Sequence, residues 1–213
     1  MADERPPGEQ RGPLDGLIVA DLSRVLAGPY ASMMLADLGA TVVKVESTVG
    51  DETRTWSPPE HDGTATYYLS INRNKRSVVL DFRDPDDVVL VHELFRRSDI
   101  VLENYMPGKL EGFGLDYRSA RAINPKLVYL SISGFGSGEG ASLPGYDLVV
   151  QAMSGLMSLT GEPDGPAYRA GIAVFDVMTG LHAVSYTHLR AHETSSSISY
   201  AVFCLKSGGG GGG

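Results

Sequence analysis

One carboxylate in the sequence, Asp176, lies where its chemistry would be unusual. It falls in the stretch 169–182, and the residues around it are mostly small or apolar, among them Gly171, Phe175 and Gly180. Such surroundings keep water away from a carboxylate and let backbone amides approach a reacting group, which suits a nucleophile. Aspartate is also favoured at the start of helices, so Asp176 could instead cap the helix predicted to follow it. On the residues alone, both interpretations stay open.

The elements that must position Asp176 alternate between strands and helices. Apolar runs predict strands at residues 16–22, 41–46, 77–81, 99–103 and 127–133. Proline near the start and apolar residues at helical spacing predict helices at 29–38, 84–97, 117–123 and 147–159. In the last helix, the buried face is expected to contain Leu148, Met153, Leu156 and Met157. The alternation predicts an α/β fold with a doubly wound, mostly parallel sheet, which binds ligands beyond the carboxyl ends of its strands.

Composition and charge exclude several classes of function. The chain has 213 residues and a formal net charge of -8, which argues against nucleic acid as the main partner. The basic run 72–76 is expected to be a solvated loop. The loop 23–28 lacks the glycine spacing of a dinucleotide site, although the following helix N-terminus could receive an anion. No signal peptide or membrane span is apparent, so a frayed N-terminus over residues 1–13 and a cytoplasmic location are expected.

The residues after position 183 differ in character from those before it. Residues 184–194 resemble the in-frame translation of a transposase-type sequencing adapter, and residues 198–206 resemble the translated flow-cell end of such an adapter, before six glycines. A natural polar tail or glycine linker is the alternative. We expect about residue 183 to be the last native position of a gene product that was cut short. His188, His192 and Cys204, the single cysteine, then carry no function, and no thiol-ligated metal site is expected.

Nine short motifs, in order, relate residues 14–182 to a known family. They lie at residues 21–29, 38–46, 50–54, 72–77, 103–108, 133–136, 144–148, 151–155 and 175–176. Together they resemble the N-terminal part of the family III CoA-transferases of the CaiB/BaiF type, the group that includes formyl-CoA and carnitine-type CoA-transferases. The resemblance implies a Rossmann-like large domain, here incomplete, and an interlocked homodimer when the protein has its full length.

The resemblance also implies a reaction and a set of site residues. Asp176 would attack an acyl-CoA thioester, pass through a mixed anhydride and an aspartyl-CoA thioester, and hand CoA to a carboxylic acid acceptor without any metal. The CoA-binding positions carried over are Leu26, Ala27, Leu80, Asp81, Phe82, Arg83, Asn104, Tyr105, Met106, Gly145, Tyr146 and Asp147. Arg83 is the expected phosphate partner. Ser47 and Gly112 stand where many members place arginine, which leaves the anchoring of the nucleotide open.

Two other functions fit the same motifs. The α-methylacyl-CoA racemases share the fold and the aspartate, but they typically read Gly-His-Asp where this chain has Gly-Tyr-Asp at 145–147. Proton transfer at an α-carbon needs a base with a near-neutral pKa, a part that Tyr146 plays poorly, so the transferase is preferred. Full family members are about twice as long, a size typical of two domains. The chain as given is therefore expected to lack turnover, and could be a non-catalytic CoA-binding fragment.

Overall fold

The structure, a computed structural model, describes residues 12–191, with side chains described as far as residue 186. The predictions for residues 1–11, for His192 and Cys204 and for residues 198–206 lie outside the described residues. No helix between residues 12 and 191 is long and apolar enough to cross a membrane.

Parallel strands form the centre of the described chain. The strands are β1 (Ile18–Asp21), β2 (Thr41–Glu46), β3 (Glu60–His61), β4 (Thr64–Ala65), β5 (Lys75–Val79), β6 (Ile100–Glu103) and β7 (Val128–Ser131). Five of them pair in parallel in the order β5-β2-β1-β6-β7, while β3 and β4 form a separate antiparallel pair. The chain runs outward from β1 to β5 and then returns to β6 on the other side of β1. This reversal makes the crevice between β1 and β6 the expected ligand position.

Helices cover both faces of this sheet. They are α1 (Ala27–Asp37), α2 (Thr66–Ile71), α3 (Pro85–Arg97), α4 (Tyr117–Ile123), α5 (Asp147–Met153), α6 (Leu156–Leu159) and α7 (Val174–Ala191). On one face Phe95 of α3 packs in a core cluster with Val101 of β6, and on the other Ala31 of α1 clusters with Leu102. Neighbouring residues of β6 thus serve opposite cores, as strand alternation requires. The predicted doubly wound, mostly parallel α/β fold is confirmed.

Two predicted elements differ in the structure. The helix predicted at 147–159 is broken into α5 and α6 at Gly155, whose φ of +81° is a left-handed conformation that ends a helix. Two of the four residues expected on its buried face are exposed, Leu148 at 51% and Met153 at 55%, while Leu156 and Met157 are partly buried. Gln151, which was not expected to be buried, is 1% exposed. The strand predicted at 77–81 begins at Lys75 and ends at Val79, leaving Leu80 and Asp81 in the loop that follows.

Candidate active site

A cavity of about 240 Å³ opens at the carboxyl ends of β1, β6 and β7. The loops after β1 and β6 contribute Leu26, Ala27, Asn104, Tyr105 and Met106 to its wall. Gly145, Tyr146 and Asp176 complete the predicted residues that line it. The structure therefore brings together residues from widely separated motifs, at the sheet edge where this fold binds ligands.

Asp176 faces this cavity from the first turn of α7. Burial raises the pKa of its carboxyl to about 7, and the nearby negative charge of Asp147 adds to the effect. Among the residues the structure describes, none donates a hydrogen bond to that carboxylate. A carboxylate with these surroundings is poorly solvated when ionised, which makes it a stronger nucleophile than an exposed one.

Asp147, not Asp176, caps α7. The Asp147 Oδ1 atom accepts hydrogen bonds from the backbone N–H groups of Phe175 at 2.7 Å and Asp176 at 3.2 Å. Asp176 lies inside the helix, which begins at Val174. The capping interpretation of Asp176 is thus wrong, because an aspartate from another helix already binds the free amides. Asp147, predicted to bind CoA, does not line the cavity.

Four predicted CoA-binding residues, Leu80 to Arg83, also lie outside the cavity lining. Leu80 is a core residue at 6% exposure, and the Phe82 ring centroid lies 6.3 Å from that of Tyr105, which does line the cavity. The exposed Arg83 guanidinium bonds to Asp81 at 2.8 Å and lowers the pKa of that carboxyl to about 2. Their part in binding CoA remains a prediction.

The loop after β1 contains cavity residues that the sequence did not single out. Arg24 and Val25 both line the cavity, and Val25 has a φ of +65°, a conformation that is rare for a β-branched residue. Asn104 holds this loop, since its Oδ1 accepts from the Arg24 N–H at 2.8 Å and its Nδ2 donates to the Arg24 carbonyl at 2.7 Å. An asparagine side chain can mimic a backbone amide in this way. Asn104, in the motif at residues 103–108, therefore holds the loop after β6 to the loop after β1, which the sequence did not indicate.

Two glycines bring the remaining walls of the cavity together. A Cβ atom placed on Gly134 would lie 2.5 Å from the Cα atom of Gly145. A Cβ on Gly145 would in turn lie 2.8 Å from the backbone nitrogen of Gly134. The loop after β7 and the segment before α5 thus pack backbone to backbone. Both motifs were visible in the sequence, but nothing in it indicated that they touch.

A buried ionic network supports the loop after β1. Asp21, 0% exposed, accepts hydrogen bonds from Ser23, from Ser32 and from Lys75, whose Nζ atom lies 3.2 Å from Oδ2. Burial lowers the pKa of Lys75 to about 8. Burial alone would raise the pKa of Asp21, but Lys75, Lys44 and the two serine hydroxyls outweigh it and lower the pKa to about 2. The basic run was expected to be solvated, and for Lys75 that is wrong.

Within the part of the chain that the structure describes, no three His, Cys, Asp or Glu side chains are grouped so that they could hold a metal ion. The titratable groups of the cavity are Arg24, Glu52, Tyr105, Tyr146 and Asp176. The arrangement offers a largely buried carboxylate, a cation from the loop after β1 and glycine-containing loops along the cavity wall. These are the parts that acyl transfer to a carboxylate requires.

Comparison with known proteins identifies the family of this site. The sequence profile described as CoA-transferase family III matches residues 14–195, so the chain belongs to that family. It is similar to the succinate–glutarate CoA-transferase of Agrobacterium fabrum, with 51% identity over 184 residues that cover 83% of this chain and 46% of that protein. It is 49% identical to the human succinyl-CoA:glutarate CoA-transferase over 173 residues, covering 80% of this chain and 40% of the relative.

A solved structure shows the same fold. A CaiB/BaiF family protein from Brucella suis superposes with a TM-score of 0.82 and 48% sequence identity, covering 85% of this chain and 49% of that one. The family predicted from the nine motifs is confirmed. The chain spans about half the length of the relatives it matches. Although residues 184–191 were predicted to be non-native, the structure continues α7 through them to Ala191, and their assignment stays a prediction.

Proposed function

We propose that the intact protein is an acyl-CoA:carboxylate CoA-transferase in which Asp176 is the nucleophile. The observation that carries this proposal is the largely buried Asp176 carboxylate, which opens on a cavity walled by residues that the family resemblance assigns to CoA. The relatives act, by their names, on succinyl-CoA, succinate and glutarate. Those names support a small dicarboxylic acid as one of the substrates.

In the first half-reaction the ionised Asp176 carboxylate attacks the thioester carbonyl carbon of the acyl-CoA. The carbon–sulfur bond breaks, CoA leaves as its thiolate, and the acyl group is joined to Asp176 as a mixed anhydride. The thiolate then attacks the Asp176 carbonyl carbon, which releases the donor acid as a carboxylate and leaves an aspartyl-CoA thioester. Backbone amides of the surrounding loops would stabilise the oxyanion that develops at each attack.

In the second half-reaction the acceptor carboxylate attacks the aspartyl-CoA thioester. CoA leaves again as its thiolate, and the acceptor acid becomes joined to Asp176 as an anhydride. The thiolate attacks the acceptor's carbonyl carbon, forms the new acyl-CoA and returns Asp176 as a carboxylate. No water is consumed, so the exclusion of water from the cavity protects both activated intermediates from hydrolysis.

The reaction can be tested on the intact gene product. The protein is incubated with succinyl-CoA and glutarate, glutaryl-CoA is quantified, and the activated aspartyl species is trapped with hydroxylamine and located by mass spectrometry. We expect trapping at Asp176, and loss of CoA transfer in Asp176→Ala. A folded Asp176→Ala protein that still exchanges acyl groups would refute the assignment of the nucleophile.

The racemase is the alternative enzyme, and it has a distinct readout. A racemase would exchange the α-hydrogen of a 2-methylacyl-CoA with deuterium from the solvent in the absence of any acceptor acid. Tyr146, which lines the cavity, occupies the position where the racemases typically place histidine. A tyrosine is a poor base near neutral pH, because its ordinary pKa is about 10. Deuterium uptake by the intact protein would favour the racemase over the transferase.

We further propose that the intact protein is a homodimer. Apolar side chains around α5, α6 and α7 are exposed in the described chain, among them Leu148 at 51%, Leu159 at 83% and Ile172 at 65%. Several large apolar side chains exposed on neighbouring elements favour an interface that covers them. Light scattering of the intact gene product should give the mass of a dimer, and a monomer mass that persists on concentration would contradict the proposal.

A further inference from the structure

Gln151 is a buried polar side chain for which the reaction described above has no use. It is 1% exposed, although it belongs to α5, whose apolar residues Leu148 and Met153 are exposed. A polar group is costly to bury unless its hydrogen-bonding atoms find partners. The position therefore favours an amide over an apolar residue for what the amide binds.

The Gln151 amide bonds to the segment that leads into α7. Its Oε1 atom accepts a hydrogen bond from the Ala170 N–H at 2.8 Å, and its Nε2 atom donates to the Ile172 carbonyl at 3.2 Å. The same Nε2 atom also donates to Oδ2 of Asp147. One side chain thus joins α5 to residues 170–172 and to the carboxylate that caps α7.

Asp147 passes this connection on to Asp176. Its Oδ2 atom is bound by Gln151, and its Oδ1 atom accepts from the N–H groups of Phe175 and Asp176 at 2.7 and 3.2 Å. Both oxygens of the cap are therefore occupied, which leaves its carboxylate one orientation. The first turn of α7 is held at its amides by Asp147 and, just before its start, by Gln151.

We propose that Gln151 is a positioning residue for Asp176, acting through Asp147 and through the backbone of residues 170–172. This inference rests on the proposed function, because positioning has a meaning only if Asp176 attacks the thioester. A side chain in this place must donate to a carboxylate and a carbonyl and accept from an amide. Glutamine does all three, whereas a glutamate carboxylate of the same size accepts only.

The charges around Asp176 determine what a substitution at Gln151 should do. Asp147 faces it from α5, and Tyr67 faces it from α2, where burial first and Asp176 second raise the pKa of the phenol to about 12. Arg24 and Glu52 line the same cavity. Gln151→Glu keeps the side-chain volume and the acceptor for Ala170, but it places a new carboxylate against Asp147. Like charges raise the pKa of a neighbouring carboxyl, so Asp176 should ionise at higher pH.

The experiment measures acylation of the intact gene product in a single turnover, as the release of free CoA from succinyl-CoA. It covers about pH 5.5 to about pH 9, a range that brackets the Asp176 pKa of about 7. We expect Gln151→Glu to raise the midpoint of the pH profile by about one unit. Because this variant cannot make both hydrogen bonds that the amide donates, we also expect a saturating rate about tenfold lower. We expect Gln151→Met, which has similar volume but no amide, to lower the saturating rate by about 10- to 100-fold with little change in KM. Ser158→Ala, which removes one exposed hydrogen bond to Gly155 in α6, is the matched control and should behave as wild type.

Two results would overturn the inference. One is a Gln151→Glu protein with both the midpoint and the saturating rate of wild type, which would mean that the hydrogen bonds donated by the Gln151 amide have no influence on Asp176. The other is a folded Gln151→Met protein that acylates at the wild-type rate. If Gln151→Met does not fold, the midpoint and the saturating rate of Gln151→Glu together decide. Asp176→Asn separates the two proposals. If Asp176→Asn is active, Asp176 is not the nucleophile. If Asp176→Asn is inactive while the Gln151 variants acylate as wild type does, only the positioning role of Gln151 is refuted.

Discussion

The raised pKa of Asp176 predicts that this carboxylate destabilises the fold, and that Asp176→Asn stabilises it. Burial, with Asp147 beside it, raises the pKa from its ordinary 3.8 to about 7 in the folded protein. A carboxyl whose pKa is higher in the folded protein than in the unfolded one lowers the free energy of unfolding as the pH rises from the lower pKa to the higher one, because the folded protein holds the proton more tightly. Each pKa unit corresponds to 1.36 kcal/mol, so the ionised carboxylate costs up to ~4 kcal/mol above pH 7. Residual contact with water reduces this to ~2–4 kcal/mol.

The assay compares thermal unfolding of wild type and Asp176→Asn at about pH 4 and about pH 8, on either side of the folded pKa. At the lower pH the wild-type side chain is protonated in the folded protein and only partly ionised in the unfolded one, so the two proteins should differ by less than about 1 kcal/mol. At the higher pH the variant should melt about 5–10 °C above wild type. Glu103, whose pKa burial also raises to about 7, is present in both proteins, so its effect cancels.

The control is Asp164→Asn, which removes one negative charge from an exposed turn. It separates the effect of net charge from the effect of burying a carboxylate at position 176. Two results would contradict this prediction: Asp176→Asn stabilises the protein equally at both pH values, or it destabilises the protein at about pH 8. The first result would mean that the difference in stability does not come from ionisation of Asp176, and the second would mean that the ionised carboxylate has favourable partners.

Two further predictions concern the walls of the cavity. Gly134→Ala should weaken binding of CoA by at least about tenfold, because its Cβ atom would lie 2.5 Å from the backbone of Gly145. The control is Gly138→Ala, where a Cβ atom meets nothing within 4 Å. Equal CoA affinities of the two variants, measured by calorimetry, would contradict the prediction. Arg83→Ala should weaken CoA binding by about tenfold, because it removes the cation that the family resemblance assigns to a CoA phosphate. The melting temperature should stay within about 2 °C of wild type, because Arg83 is exposed and its ion pair with the partly buried Asp81 adds little stability. An unchanged affinity would exclude Arg83 from the CoA site.

Much of the fold could be predicted because its signals are local. Strand β2 and helix α4 lie at the predicted residues, since an apolar run flanked by polar residues and a capped apolar repeat each depend on nearby residues alone. The broken helix at Gly155 shows the limit of that approach. A glycine inside a helical pattern is often tolerated, and only the packing of the neighbouring segments shows that this one adopts a positive φ.

The contacts between motifs could not be predicted in the same way. Gly134 and Gly145 are eleven positions apart, and their close approach depends on how two loops pack. Gln151 looked like one polar residue on a helix whose apolar side chains were expected to be buried. Its burial is explained by its bonds to Ala170 and Ile172, which are 19 and 21 positions away. Partnerships of this kind arise from tertiary structure, and single-sequence patterns carry no signal for them.

Two aspartates in similar local sequences illustrate what the tertiary structure adds. Asp21 follows Val-Ala and precedes leucine, and Asp176 follows Val-Phe and precedes valine. Asp21 is the last residue of β1 and Asp176 lies in the first turn of α7, yet the pKa of Asp21 is lowered to about 2 while that of Asp176 is raised to about 7. The difference lies in the partners. Both carboxyls are buried, but Lys75, Lys44 and two serines stabilise the charge of Asp21, whereas burial of Asp176 is uncompensated and the carboxylate of Asp147 adds to its effect. A carboxylate held by a cation and hydroxyls is a poor nucleophile, since attack would break those bonds. The aspartate that no described cation neutralises is therefore the one suited to attack a thioester.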